Sequence, residues 1–259
     1  MTNALAGELS AICAGAGRLV LARGVSGRAR KAGHEVVTDA DLQSEILLRK
    51  ELSQLTPGVP VIGEEGNDPV GEPPYWLVDP LDGTTNFAHG YPVFSISAAL
   101  YGTAGLETGC VHDPVRGETF VASRGEGAFL NGARISSSAT SEIGQALLAT
   151  GFPYARRPAD LGFDLSPLLY FLGRAQGIRR SGSAALDLSY VACGRLDGYW
   201  EQHLRPWDMA AGVLIAGEAG AVVEDYAGGA WTPRAGGILA GAPGLYGELR
   251  RGIRPKAEA

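Results

Sequence analysis

The chain has 259 residues and a net charge of −6; 45% of its residues are hydrophobic and 19% are charged. This balance is typical of a globular protein and excludes a disordered one. The acidic charge argues against general binding to nucleic acid or an anionic membrane. The N-terminus has no basic leader region, and no apolar run approaches about 18 residues. We therefore expect a cytoplasmic protein with no nucleic-acid or membrane partner.

The first part of the chain is predicted to be helical. Apolar residues recur at helical spacing at positions 5, 9, 12, 16 and 19. A basic, glycine-rich loop over residues 24–33 should follow. A second helix over 40–55 would begin after Thr38 as its N-cap and end before Pro57.

The pattern then changes to short strands separated by Gly, Pro and Asp, over residues 59–63, 75–79, 93–101, 107–112 and 118–123. Later segments predict helices over 184–193 and 209–219, and strands over 196–200, 221–224 and 238–240. This mixed order favours a layered α/β or α+β sandwich. We predict one domain over residues 1–259, with 151–167 as a candidate boundary between two subdomains.

The most informative motif is the end of the apolar run at 75–78, where Asp79 and Asp82 lie three positions apart on a predicted turn. Two like charges this close repel each other unless a cation lies between them. Carboxylates suit Mg²⁺, and Leu81 could add its carbonyl oxygen. A short helix should follow, and its first residues would offer backbone N–H groups to an anion: Gly83, Thr84 and Thr85. Metal ligands beside an anion cradle predict chemistry on a phosphate.

Four other acids each have a structural and a functional interpretation. Glu64 and Glu65 follow a predicted strand and are either solvated or metal ligands beside Asp79. Asp41 either forms a capping box with Thr38 or orients a hydroxyl or water near the metals. Asp208 either caps a helix or completes a metal site.

Two further segments could contact a substrate. Gly182, Ser183 and Ala184 open a helix whose free N–H groups could meet a polar ligand. Glu201 follows a strand and could accept hydrogen bonds from substrate hydroxyls. The four histidines lack metal-ligand spacing, so none is assigned to a metal.

Taken together, these segments resemble the inositol monophosphatase family of magnesium-dependent phosphatases. The resemblance rests on five motifs in the expected order, at residues 37–41, 63–65, 79–87, 182–184 and 207–211. It implies a five-layer αβαβα sandwich, usually a homodimer, that binds two or three Mg²⁺ ions and a small phosphorylated substrate.

The resemblance also implies how the metals would be held. Glu64, Asp79 and the Leu81 carbonyl would bind one Mg²⁺, and Asp79, Asp82 and Asp208 a second. A third ion would lie near Glu64.

The implied catalytic residues are Glu64, Thr84 and Asp41, with Thr84 bonded to Asp41 and positioning a metal-activated water. The implied substrate-binding residues comprise the phosphate cradle and the hydroxyl-binding groups: Asp82, Gly83, Thr84, Thr85, Gly182, Ser183, Ala184 and Glu201.

Two positions depart from the family pattern. Members often carry a lysine in the loop before the Val-Thr motif and an acid shortly before it. Here Arg30 and Lys31 compete for the first place, and Glu35 stands at or near the second.

The leading function is hydrolysis of myo-inositol 1-phosphate. Relatives in the family act on histidinol phosphate, NADP, fructose 1,6-bisphosphate or 3′-phosphoadenosine 5′-phosphate. Nucleotide or bisphosphate substrates would call for extra basic groups, for which the candidates are Arg156, Arg157, Arg179 and Arg205. A different class of function is a regulatory partner of the transcription or ribosome machinery.

Overall fold

The computed structural model describes residues 3–27, 29–30, 36–66, 69–152 and 164–253. The expectations about Lys31, Glu35, Arg156 and Arg157, the side chain of Arg30, and most of the boundary at 151–167 lie outside the described residues.

The first layer consists of two helices, α1 (Ala4–Arg23) and α2 (Asp39–Leu55), which pack against each other. A two-stranded ribbon of β1 (Ala29–Arg30) and β2 (Val36–Val37) lies between them in sequence. By length and composition α1 could cross a membrane. However, its apolar face from Leu9 to Val20 is buried against α2 and the neighbouring sheet, as in the core helix of a globular protein.

The second layer is a seven-stranded sheet in sequence order. Its strands are β3 (Val61–Gly63), β4 (Tyr75–Asp82), β5 (Ser95–Gly102), β6 (Gly105–Asp113), β7 (Glu118–Ser123), β8 (Gly127–Leu130) and β9 (Ala133–Arg134). The pair β3–β4 is parallel and every later pair is antiparallel. The short helix α3 (Thr84–Ala88) follows β4 directly.

The remaining layers come from the second half of the chain. A five-stranded sheet has the order β11-β10-β12-β14-β13. Its strands are β10 (Leu147–Thr150), β11 (Gly177–Arg179), β12 (Gly198–Gln202), β13 (Val222–Asp225) and β14 (Gly237–Gly241). Helices α5 (Ala184–Ala192) and α6 (Pro206–Glu218) lie between the two sheets, while α4 (Ser166–Leu172) and α7 (Tyr246–Ile253) cover the outer face. The predicted αβαβα sandwich is confirmed.

Side-chain alternation along β4 divides the core. Trp76 and Val78 belong to the cluster under α1 and α2, whereas Tyr75 and Leu77 belong to the cluster around α5 and α6. Because successive side chains of a strand point to opposite faces, the same parity directs Asp79 toward α5 and α6. A third cluster, around Phe171 and Trp200, lies beneath the outer helices.

The structure corrects the prediction that Asp79 and Asp82 lie on a turn after the strand. β4 continues through Asp82, and its pairing with β5 shifts between Asp79↔Ser97 and Asp82↔Ser95. Three residue steps along β4 therefore lie opposite two along β5, which defines a β-bulge in β4. Pro80 explains the bulge, because proline has no N–H group to donate to the neighbouring strand.

Elements with weak patterns were missed by the sequence. The strands β1, β2, β8, β9 and β11 and the helices α4 and α7 were not predicted, and β1 lies within the predicted loop over residues 24–33. Helix α6 begins at Pro206, three residues before the predicted 209, so that Asp208 lies in its first turn.

Candidate active site

Asp79 and Asp82 lie at the bulged end of β4 and are 2% and 8% exposed. Asp79 Oδ1 accepts a hydrogen bond from the Leu81 N–H at 3.0 Å. Asp82 Oδ2 accepts from Ser183 Oγ at 2.5 Å and from the Ala185 N–H at 2.9 Å. Asp82 thus joins the large sheet to the start of α5.

Glu64 reaches Asp79 through the parallel pairing of β3 and β4. Gly63 pairs with Val78, and the Glu64 N–H donates to the Val78 carbonyl at 3.3 Å. Because the two strands run in the same direction, the residues that follow them lie side by side at one edge of the sheet.

Asp208 approaches the same place from the middle layer. Ser97, the partner of Asp79 on β5, donates from Oγ to the Trp207 carbonyl at 3.3 Å. Asp208 also caps its helix, because its Oδ2 accepts from the Arg205 N–H at 2.7 Å. The capping and the site interpretations of Asp208 are therefore compatible.

The four carboxylates act on each other electrostatically. Burial raises the pKa of Asp79 well above its ordinary value, and the charges of Glu64, Asp82 and Asp208 raise it further. The pKa of Asp208 is also raised, by burial and then by Glu64. Burial raises the pKa of Asp82 to about 6, although its bonds to Ser183 and Ala185 oppose the shift.

This donor set suits a hard divalent cation, because a bound positive charge would offset the repulsion. Among the described residues, no three His, Cys, Asp or Glu side chains form a ready-made metal cluster. Charges influence each other over longer distances than those of coordination, so these acids can repel one another without lying at ligand distance. The chemistry of the donors, four carboxylates and a carbonyl, suits Mg²⁺.

Asp41 serves two neighbours at once. It is fully buried in the first turn of α2, and its Oδ2 accepts from the N–H and Oγ1 of Thr38 at 2.8 and 2.5 Å. Its Oδ1 accepts from Thr84 Oγ1 at 2.8 Å. Both interpretations of Asp41, as a helix cap and as a partner of Thr84, therefore agree with the geometry. Burial raises its pKa, and the bonds from Thr38 and Thr84 oppose the shift.

Thr84 Oγ1 has two acceptors for its single proton. Besides Asp41, the Leu81 carbonyl lies 2.9 Å away. The hydroxyl can donate to only one of them at a time, and its lone pairs stay available to a further donor.

The turn before α3 requires glycine. Gly83 has φ 93°, and a Cβ there would lie 3.0 Å from the Val93 carbonyl oxygen and 3.2 Å from that of Gly182. The backbone of the 83–85 turn therefore approaches the segment that precedes α5. The N–H groups of Thr84 and Thr85 belong to the first turn of α3, where backbone donors have no partner within the helix.

Glu201 lies near the end of β12. Tyr199 Oη donates to its Oε2 at 2.5 Å. Burial raises the pKa of Glu201 to about 7 and the charge of Asp82 helps to raise it, while Tyr199 and the positive charge of Arg180 oppose the rise. A Cβ on Gly151 would meet this carboxylate, so Gly151 leaves the room that it occupies.

The structure adds residues that the sequence did not single out. Ser44 on α2 donates to the Pro80 carbonyl at 2.8 Å and supports the bulge. Asn86 Nδ2 donates to the carbonyls of Val93 and Ser181 at 2.7 and 2.8 Å. Asp187 is 2% exposed in α5. Asn86 lies inside the 79–87 motif. Asp187 could have been found from the sequence, because it is an aspartate within a mostly apolar predicted helix.

Comparison with known proteins assigns the chain to a family. Residues 6–258 match the model of the inositol monophosphatase family. The chain belongs to this family. The predicted resemblance is thereby confirmed.

Relatives in this family have two kinds of name. An inositol-1-monophosphatase from Rhizobium meliloti is 42% identical over 86% of this chain and 85% of its own. Nus factor SuhB from Vibrio cholerae is also 42% identical, over 83% of this chain and 80% of its own.

Among solved structures, the extragenic suppressor protein suhB from Bartonella henselae is 37% identical and has a TM-score of 0.91. The match covers 98% of this chain and all of that one.

Proposed function

We propose that the chain hydrolyses a phosphomonoester of a small polyol, with myo-inositol 1-phosphate as the leading substrate, and that the reaction depends on Mg²⁺. The observation that carries the proposal is that the charges of Glu64, Asp82 and Asp208 raise the pKa of the buried Asp79 at the end of β4, which the first turn of α3 follows directly. The relatives named inositol-1-monophosphatase support it.

Glu64, Asp79, Asp82 and Asp208 would hold two Mg²⁺ ions together with the Leu81 carbonyl, and a third ion would lie near Glu64. All of these donors are oxygens, which Mg²⁺ prefers. When bound, the ions would supply Lewis-acid chemistry, which offsets charge on the phosphate and makes water a better nucleophile.

The chain's own residues would orient the attacking water. When the Thr84 hydroxyl donates its proton to Asp41, its oxygen can accept a hydrogen bond from the water. Because burial raises the pKa of Asp41, its carboxylate is a better proton acceptor than an exposed aspartate. Backbone N–H groups of Gly83, Thr84 and Thr85 would stabilise the charge that develops on the phosphate.

The hydroxyl end of the substrate would meet Asp82, the backbone of Ala184 and Glu201, with Gly182 and Ser183 shaping the wall between them. Histidinol phosphate is the main rival, since Glu201 could bind its amine. However, the positive charge of Arg180 already lowers the pKa of Glu201. This charge would disfavour a second cation at Glu201, which supports a neutral polyol over an amine.

A regulatory role is the second candidate. The relatives named Nus factor SuhB favour it, since the one from Vibrio cholerae is 42% identical. A partner of the transcription or ribosome machinery would not need turnover, although it could retain it. A homodimer, a cytoplasmic location and a single domain over 1–259 also remain predictions.

A phosphate-release assay separates these candidates. The substrates are myo-inositol 1-phosphate, histidinol phosphate, NADP, fructose 1,6-bisphosphate and 3′-phosphoadenosine 5′-phosphate, each with Mg²⁺ or with EDTA. We expect the fastest release from myo-inositol 1-phosphate and none in EDTA. A folded protein that releases phosphate from no member of the panel with Mg²⁺ present would contradict the enzyme proposal and leave the regulatory role.

A further inference from the structure

The segment between β11 and α5 is fixed from two sides by side chains that have no part in the reaction above. Ser181 Oγ donates to Asp187 Oδ2 at 2.6 Å, and the Ser181 carbonyl accepts from Asn86 Nδ2 at 2.8 Å. Asn86 lies in α3 and Asp187 in α5. We call these three residues the Ser181 clamp, because helices from both halves of the chain hold Ser181.

The clamp lies next to the residues that face the proposed substrate. Gly182, with φ 89°, is the only residue between Ser181 and Ser183, whose Oγ donates to Asp82 at 2.5 Å. The Ala185 N–H donates to the same Asp82 oxygen at 2.9 Å. Because consecutive Cα atoms are about 3.8 Å apart, fixing Ser181 strongly restricts where Ser183 and Ala184 can lie.

Asp187 carries a buried carboxyl group, which is unfavourable for folding at this position. It is 2% exposed in a helix whose other buried residues are mainly apolar. Burying a carboxyl group costs free energy unless partners compensate. Burial raises its pKa, the hydrogen bond from Ser181 opposes the rise, and the charges of Glu201 and Asp82 add to it. An apolar residue would fill the same space more favourably, so the hydrogen bond to Ser181 is the evident reason for an aspartate.

We propose that Asp187 is a positioning residue: with Asn86 it holds Ser181, so that Ser183 and Ala184 are presented to the hydroxyl end of the substrate. Asp187 does not touch the reacting atoms. The identity of the substrate rests on the function proposed above, whereas the hold on the segment does not.

Hydrogen exchange tests the hold on the segment without any turnover. The full chain is compared with Ser181→Ala and Asp187→Leu, which remove the bond, and with Asp187→Asn, which keeps an oxygen acceptor. We expect the Ala185 amide to exchange about tenfold faster in the first two variants and within about twofold of the parent in the third. Ser181→Ala decides the test if Asp187→Leu does not fold.

The matched control is Ser189→Ala. Ser189 is a fully buried serine in the same helix, and its Oγ donates to the Ala185 carbonyl at 2.8 Å. The substitution removes one buried hydrogen bond without touching the clamp, so exchange of the Ala185 amide should stay within about twofold of the parent. Unchanged exchange of the Ala185 amide in Ser181→Ala, or an equal increase at that amide in the control, overturns the proposal.

Kinetics then test the effect on the substrate. For Ser181→Ala we expect kcat/KM on myo-inositol 1-phosphate to fall about tenfold, mainly through KM, because the hydroxyl contacts are misplaced. p-Nitrophenyl phosphate has no polyol hydroxyls and should lose less than about threefold. A merely structural role would lower both substrates in proportion, and that result refutes positioning. If the parent protein hydrolyses neither substrate, the proposed function fails, while the exchange data still decide the clamp.

Discussion

The phosphate end and the hydroxyl end of the candidate site are built in different ways. Most of the phosphate end lies within residues 79–85, in the bulged end of β4 and the first turn of α3, and Glu64 and Asp208 join it from other elements. The hydroxyl end combines the segment before α5, α5 itself and the end of β12. The phosphate end is thus encoded largely by consecutive residues, whereas the hydroxyl end depends throughout on how distant elements pack.

The two ends also differ in electrostatic balance. At the phosphate end, the charges of three neighbouring acids raise the pKa of Asp79. At the hydroxyl end, Tyr199 and Arg180 lower the pKa of Glu201 and so oppose the rise that burial causes. The first arrangement needs a cation from outside the chain, while the second is partly balanced by its own residues. We therefore expect changes at the phosphate end to abolish turnover and changes at the hydroxyl end to alter selectivity.

The largest effect is expected from Asp79→Asn. The substitution removes a central carboxylate, so phosphate release should fall by about 100-fold or more and Mg²⁺ should bind more weakly. The metal-free fold should become more stable, because one of four repelling charges is gone. Phosphate release, Mg²⁺ titration and thermal unfolding in EDTA measure these three effects.

Asp197→Asn is the matched control for a buried aspartate. Asp197 is 8% exposed and bonds to Ser138 Oγ and to the Leu147 N–H, outside the site. It should lower stability and leave the turnover of the folded protein unchanged. Turnover near the parent level in Asp79→Asn would refute the metal site.

A smaller effect is expected at the hydroxyl end. Glu201→Gln should change the ratio of kcat/KM between myo-inositol 1-phosphate and histidinol phosphate by about tenfold, because a hydrogen-bonding group loses its charge. The Mg²⁺ affinity should stay within about twofold. Kinetics on the two substrates and a Mg²⁺ titration check this. A variant that altered only metal binding would contradict the role proposed for Glu201.

The smallest effect concerns stability and pH. The pKa of Glu201 rises from 4.5 to about 7 on folding, so the folded state binds this proton more tightly than the unfolded state. The contribution of Glu201 to the free energy of unfolding is therefore fully present below the pKa of the unfolded state, and it is lost as the pH rises through about 7. The free energy of unfolding of the metal-free protein should decrease between about pH 5 and pH 8. In Glu201→Gln the decrease should be smaller by about 1–3 kcal/mol.

Urea unfolding in EDTA at several pH values measures this slope. Glu126→Gln is the control, because Glu126 is exposed and its charge should be nearly indifferent to folding. If the free energy of unfolding depended on pH equally in the parent and in Glu201→Gln, burial would not raise the pKa of Glu201.

The sequence by itself determined the family, the layered fold and the identity of the candidate ligands. This was possible because the relevant signals are local: the apolar run at the start of β4, the helical period of α1, and an acid pair followed by Gly-Thr-Thr. A short strand such as β9, or the seven-residue helix α4, has too few residues for such a period to stand out.

Only the tertiary structure decided which residues meet. The bulge at Pro80, the contact of Ser97 with the Trp207 carbonyl, and the bonds of Asp82 to the start of α5 each join segments far apart in sequence. It also showed that Asp41 caps its helix and accepts a hydrogen bond from Thr84 at once, because a carboxylate has two oxygens and more lone pairs than one cap uses. The Ser181 clamp was beyond sequence reasoning for the same physical reason: it exists only where two helices from different layers approach one serine.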